Sequence, residues 1–197
     1  MSIAEPTVTN VAIGPAVMWI AASGTPPPSF ATKPANADWI AAGFRAVGYT
    51  ESGVDIVTTP ATKDFTPDEA IAPILTTVTG IKVEVKATLW ETNLENINVA
   101  TALSSLSNPG LGIKTLSVGS GNPLLEWAIG IQSASPGQNF SDGSVTMVWR
   151  VNVTSAISLN RSRKDIAKLA CTFNALTDSS KSSGVDVYET IDFTAGS

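Results

Sequence analysis

Nine residues from Ile81 to Leu89 alternate without a fault. Ile81, Val83, Val85, Ala87 and Leu89 point one way, and Lys82, Glu84, Lys86 and Thr88 point the other. A period of two marks a strand with one buried face. The same period returns at Leu125, Trp127, Ile129 and Ile131. It holds odd positions from Val145 through Met147, Trp149, Val151 and Val153 to Ile157 and Leu159, and it closes with Leu169, Cys171, Phe173 and Ala175. Further strands are predicted at Val8–Ile13, Ala16–Ala22, Phe44–Tyr49, Val54–Thr58 and Val185–Phe193, with a turn at Thr50–Gly53. One helix is predicted over about 91–106. Thr92 and Glu95 have capping-box spacing, Leu94, Ile97, Ala100 and Leu103 recur at helical intervals, and Asn108-Pro109-Gly110 stops the run.

Eight or more strands, one helix and no β-α-β alternation predict a mainly β fold. The expected form is an antiparallel β-sandwich or partial barrel with that helix packed on it. A length of 197 residues suits a single domain over 1–197. Three stretches break the pattern. Residues 20–38 contain Pro26-Pro27-Pro28 and read as an arm or surface loop. Residues 60–73 read as a long loop or β-arm bounded by prolines. Residues 177–197 read as a flexible C-terminal segment.

Composition bounds the chemistry. Hydrophobic residues make up 43% and charged residues only 15%, so the chain is expected to fold, and it either has a thin charged coat, as a charge-poor secreted domain would, or buries part of its surface against partners. A net charge of −5 argues against binding nucleic acid through phosphate contacts. Arg161, Arg163, Lys164 and Lys168 form only a small basic group, read as a solvated strand end. With no histidine and one cysteine, the chain lacks the Ser-His-Asp and Cys-His arrangements and the usual zinc ligands. Cys171 is in phase with Leu169 and Phe173 and reads as core. Trp127 and Trp149 also read as core, Trp39 and Trp90 as core or interface. The carboxylates Asp55, Asp64, Asp68, Glu69 and Glu84 show no catalytic spacing. No catalytic residue, metal or cofactor is expected, nor any membrane span.

A longer stretch carries a resemblance. Trp39, then Gly48-Tyr49-Thr50-Glu51-Ser52-Gly53, is followed by the acidic segment Asp68-Glu69-Ala70-Ile71-Ala72-Pro73-Ile74. Then come Thr76-Thr77-Val78-Thr79 and the helix opening Leu89-Trp90-Glu91-Thr92-Asn93-Leu94-Glu95. This order is similar to that of siphophage major tail proteins, over about residues 39–106, and more loosely over 145–176. The resemblance implies a subunit that self-assembles into hexameric rings stacked as a tail tube. That tube would surround a tape-measure protein, be bounded by terminator and initiator proteins, and pass DNA without binding it specifically. It implies a place in the virion tail after synthesis in the bacterial cytoplasm. It also implies that Asp64, Phe65, Asp68, Glu69, Ile71 and Ile74 contact neighbouring subunits or rings, and that Lys82, Glu84, Lys86 and Thr88 face a lumen. A capsid decoration or host-attachment protein, marked by exposed aromatics at one loop end, is the competing expectation. A hydrolase with two carboxylates facing across a cleft is a third.

Overall fold

The computed structural model describes residues 16–66, 72–110, 112–133, 143–158 and 167–193. The chain is mainly β, with every strand pairing antiparallel. In chain order the elements are β1 (Ala16–Ala22), α1 (Asn36–Ala41), β2 (Arg45–Ala46), β3 (Thr50–Phe65), β4 (Leu75–Leu89), α2 (Leu94–Ala100), β5 (Ser104–Gly110), β6 (Ile113–Val118), β7 (Glu126–Ser133), β8 (Gly143–Val153), β9 (Leu169–Ala175) and β10 (Tyr188–Phe193). The main sheet runs β2-β1-β7-β8-β9-β4-β3. Strand β10 pairs with β8, and β5–β6 form a separate hairpin.

The sheet curls. Met18 and Ile20 of β1 share one buried cluster with Val85 and Leu89 of β4, although those strands lie near opposite ends of the order. Ile129, Val151, Leu169 and Phe173 fill the space between them, and Ile97, Val99 and Ala100 of α2 pack onto it. This is the partial barrel with a helix against it. Burial of Val83, Val85, Ala87 and Leu89 follows the alternation in β4, and Cys171 is core. Ile81 departs from the pattern and is exposed, because no described element covers β4 at that height.

A second cluster lies on the other sheet face. Trp39 is fully buried there, stacked on Trp19 at 5.7 Å and met edge-on by Phe44 at 5.1 Å. The expected arm 20–38 is therefore not a protruding one. Its first residues belong to β1, its last begin α1, and Phe30 packs on Trp39 between them. Gln132 fastens the segment, accepting from Trp39 Nε1 at 3.0 Å and donating to the Pro34 carbonyl at 2.8 Å.

Strand β8 crosses from one cluster to the other. Val145, Met147 and Trp149 belong to the Trp39 cluster, whereas Val148, Val151 and Val153 belong to the barrel. The expectation that these odd positions share one face fails because the β7–β8 register shifts between Trp127 and Ile129. One extra residue in β8 reverses the side-chain phase.

The helix is shorter than the expected 91–106, and its cap lies one residue later than expected. Asn93, not Thr92, caps α2, its Oδ1 accepting from the Asn96 amide at 2.8 Å. The helix ends at Ala100 because Thr101 is extended and Ser104 Oγ donates back to the Asn98 carbonyl and Oδ1. The serines of 104–107 compete for backbone partners and continue as β5. The turn expected at Thr50–Gly53 lies inside β3 as a bulge, with Ser52 and Gly53 at φ 59° and 85°. Of the C-terminal segment 177–197, the described part is anchored. Trp149 Nε1 donates to the Val185 carbonyl at 2.6 Å, Lys181 sits 4.0 Å over the Trp149 ring, and β10 follows. Val8–Ile13, Leu159 and the basic residues at 161–164 lie outside the described residues.

Candidate assembly surface

Of the stretch 60–73, residues 60–65 are strand, so this part takes the β-arm form of the two expected, while 67–71 lie outside the described residues. Strand β3 continues through Phe65, β4 resumes at Leu75, and the two pair from Thr50–Leu89 outward to Phe65–Leu75. β-branched residues fill this outer part, namely Val57, Thr58, Thr59, Thr62, Thr76, Thr77, Val78 and Thr79, and they favour extended backbone. Pro60 is tolerated because β3 is the last strand of the sheet.

This ribbon leaves the body of the fold. Strand β9 supports β4 only from Glu84 to Leu89, so beyond Val83 the described part of β4 pairs with β3 alone. Seven residue steps from Thr58 to Phe65 carry it roughly 20 Å. Its apolar side chains are uncovered, with Ile74 72% and Val78 70% exposed and Val57, Phe65, Leu75 and Ile81 also open. Residues opposite one another in a ladder share a face. The register therefore places Phe65 and Leu75 on one face and, past the bulge near Thr79, Val78 on the face that Ile81 shares with the core. Both faces thus carry bare apolar side chains among polar ones. A two-stranded ribbon of this kind gains little stability alone, and each such side chain covered by a neighbour contributes about 1 kcal/mol or more.

Of the residues implicated in contacts, Asp64, Phe65 and Ile74 come together at the outer end. Thr76 Oγ1 donates to Asp64 at 2.6 Å, Lys63 lies 5.1 Å over the Phe65 ring, and the Ile74 amide donates to the Phe65 carbonyl at 3.0 Å. Asp68, Glu69 and Ile71 lie outside the described residues.

Lys82, Glu84, Lys86 and Thr88 share the sheet face opposite the barrel core, with Asp55 beside Lys86 and Asn174 beside Glu84. Glu84 receives Lys82 at 2.6 Å and Lys86 at 3.1 Å, and these bonds hold its carboxyl below the usual range. Further along, Arg150 forks onto Glu126 with two bonds of 2.7 Å, which lowers that carboxyl too. Lys168 reaches Glu51 at 2.6 Å. Lys82, Lys86, Arg150 and Lys168 thus equal Glu51, Asp55, Glu84 and Glu126 in number.

The bulge opens a cleft of about 230 Å³ lined by Glu51, Ser52, Asp55, Lys86, Thr88 and Thr172. Cys171 borders it from the sheet, its side chain in the barrel core and its thiol pushed up to about 11 by burial, far from the thiolate state a nucleophile needs. Glu84 is held charged, the opposite of what a general acid requires. Among the described residues no group of three or more Cys, Asp or Glu side chains is arranged to hold a metal ion.

Two exposed aromatics mark the other end of the hairpin; sequence reasoning left Trp90 as core or interface and missed Tyr49. Tyr49 is 78% exposed and Trp90 43%, and they extend the ladder by a 3.0 Å bond from the Trp90 amide to the Tyr49 carbonyl. Their position at the strand ends, one residue beyond the alternating run, was the available signal. No described helix is long and apolar enough to cross a membrane. The sequence matches no protein-family model, and no curated protein sequence matches it significantly.

Proposed function

We infer that this chain is a structural subunit that assembles with copies of itself into a tube, of the kind that siphophage major tail proteins build from stacked, hexameric rings. The observation that carries the reading is the β3–β4 ribbon. It projects past its supporting strand, exposes apolar side chains on both faces, and is paired along one edge of β3 only among the described residues. A bare sheet edge is an aggregation hazard unless a specific partner covers it, and a copy of the same chain is the partner always present.

In this reading Asp64, Phe65 and Ile74 contact a neighbour, with Asp68, Glu69 and Ile71 between them in sequence. Lys82, Glu84, Lys86 and Thr88 line the bore. Lys82, Lys86, Lys168 and Arg150 each already meet a carboxylate. Phosphates passing along it would find no excess of cations, which suits DNA that must slide rather than bind. A tape-measure protein inside the tube, end-capping terminator and initiator proteins, and a place in the virion tail complete the proposal. It requires no catalysis and no cofactor.

The test is negative-stain electron microscopy of the purified protein over a concentration series, with sedimentation velocity alongside. Rings or tubes are expected. Particles that stay monomeric at high concentration, with and without tail-initiating proteins, would overturn the reading. The adjacent aromatics Tyr49 and Trp90 favour one second reading, a host-attachment protein that stacks sugar rings on them.

A further inference from the structure

The β3–β4 ladder ends in the same way twice. At the tip, the Ile74 amide donates to the Phe65 carbonyl, and at the base the Trp90 amide donates to the Tyr49 carbonyl, each at 3.0 Å. Each end shows exposed apolar groups, Phe65 with Ile74 and Leu75 at one and Tyr49 with Trp90 at the other. Each end also sets a lysine over its aromatic ring, Lys63 5.1 Å from Phe65 and Lys168 5.7 Å from Trp90. Carboxylates accompany both, Asp64 at the tip and Glu51 with exposed Glu91 at the base. The two ends are about fifteen residue steps apart, roughly 50 Å.

We propose that the tip of one copy docks on the Tyr49–Trp90 end of the next, so that this contact sets the direction of tube growth. The inference rests on the self-assembly reading and names its acceptor. The two patches differ, so the contact is heterologous. Lying at opposite ends of one ladder, they translate successive copies along it, and such a contact propagates instead of closing into a dimer. The chemistry is complementary. Tip aliphatics meet the flat faces of Tyr49 and Trp90, residue types that concentrate at interface centres. Lys63 comes toward Glu51 and Glu91, and Asp64 toward Lys168. A second copy is favoured over a sugar because the same chain carries the matching patch.

Cysteine pairing tests the geometry. Thr66→Cys and Glu91→Cys place thiols at the two ends, while buried Cys171 stays out of reach. Under mild oxidation the double variant should give a ladder of disulfide-linked oligomers, and a mixture of the two single variants should give dimers only. Dimers from Thr66→Cys alone would mean tip-to-tip contact and overturn the proposal. Tyr49→Ser with Trp90→Ser should lower tube length at least tenfold while the monomer keeps its circular dichroism spectrum. Should the double serine variant not fold, Tyr49→Ser alone supplies the readout, since that side chain is mostly exposed. Normal tubes from the serine variants would sink the acceptor assignment and leave self-assembly standing, and glycan-array binding lost in those variants would assign the pair to sugar instead. Wild-type protein that never assembles would sink both.

Discussion

The indole of Trp39 lies against the backbone of Gly130, so closely that a Cβ at position 130 would stand 2.3 Å from the ring. Glycine is required there for the space it leaves, and that space lets α1 close over β1 and β7. Gly130→Ala should cost about 1–3 kcal/mol, because the indole must move out of a packed site. Urea denaturation measures this. In a Trp39→Ala background the same substitution should cost far less, and equal costs in both backgrounds would show that the clash is not the cause.

Asn96 is fully buried and ties three segments together. Its Nδ2 donates to the Val47 and Glu91 carbonyls, and its Oδ1 accepts from Arg45, each at 2.8 Å. Asn96→Leu should destabilise the fold by about 3 kcal/mol or more, since it strands a largely buried guanidinium and two carbonyls. Burial already lowers the Arg45 pKa, with Glu95 and Glu91 opposing that shift. A loss below about 1 kcal/mol in equilibrium unfolding would contradict this account.

Glu84, Glu95, Glu126 and Asp178 are all held below their ordinary range, the three glutamates by lysine or arginine and Asp178 mainly by bonds from Ser180. A carboxyl depressed in the folded state stabilises it fully above the unfolded value, and that contribution is lost as pH falls through the folded value. Urea midpoints should therefore be flat near neutrality and fall below about pH 4.5. Glu126→Gln should reduce the acid slope. A wild-type midpoint that rises on acidification would refute the sign.

The outer ribbon should be energetically silent in the monomer. Phe65→Ser, Ile74→Ser and Leu75→Ser change exposed positions, so each should shift stability by no more than about 0.5 kcal/mol. Their assembly should fail or weaken more than tenfold in sedimentation. Amides at 58–65 and 74–81 should exchange fast in the monomer and slowly in the tube. Equal exchange in both states would remove the ribbon from the contact.

The Cys171 thiol, at about 11, is almost wholly protonated at pH 8. Ellman's reagent should label it about a hundredfold more slowly than an ordinary cysteine, and promptly after denaturation. Rapid labelling of native protein would mean that the barrel core opens around β9.

Periodicity in the sequence determined the fold class, because a strand with one buried face must alternate. Ile81–Leu89 and Leu169–Ala175 could be read residue by residue, with Ile81 the exception, whereas Trp127–Ile131 is covered on both faces, Ala128 being as buried as Ile129. The choice of residue types also narrowed the chemistry, since a chain without histidine cannot supply that base or ligand. Tertiary structure decided whatever depends on neighbours distant in sequence. A bulge opposite Ala128 divided β8 between two clusters, and Gln132 drew the proline segment down onto the sheet from 98 residues away. The candidate surface followed the same division. Its β-branched, proline-bounded composition is visible in the chain, but its exposure is not, because exposure arises where β9 stops supporting β4. Local sequence governs how backbone and side chains alternate, and only the packed sheet governs which alternations find cover.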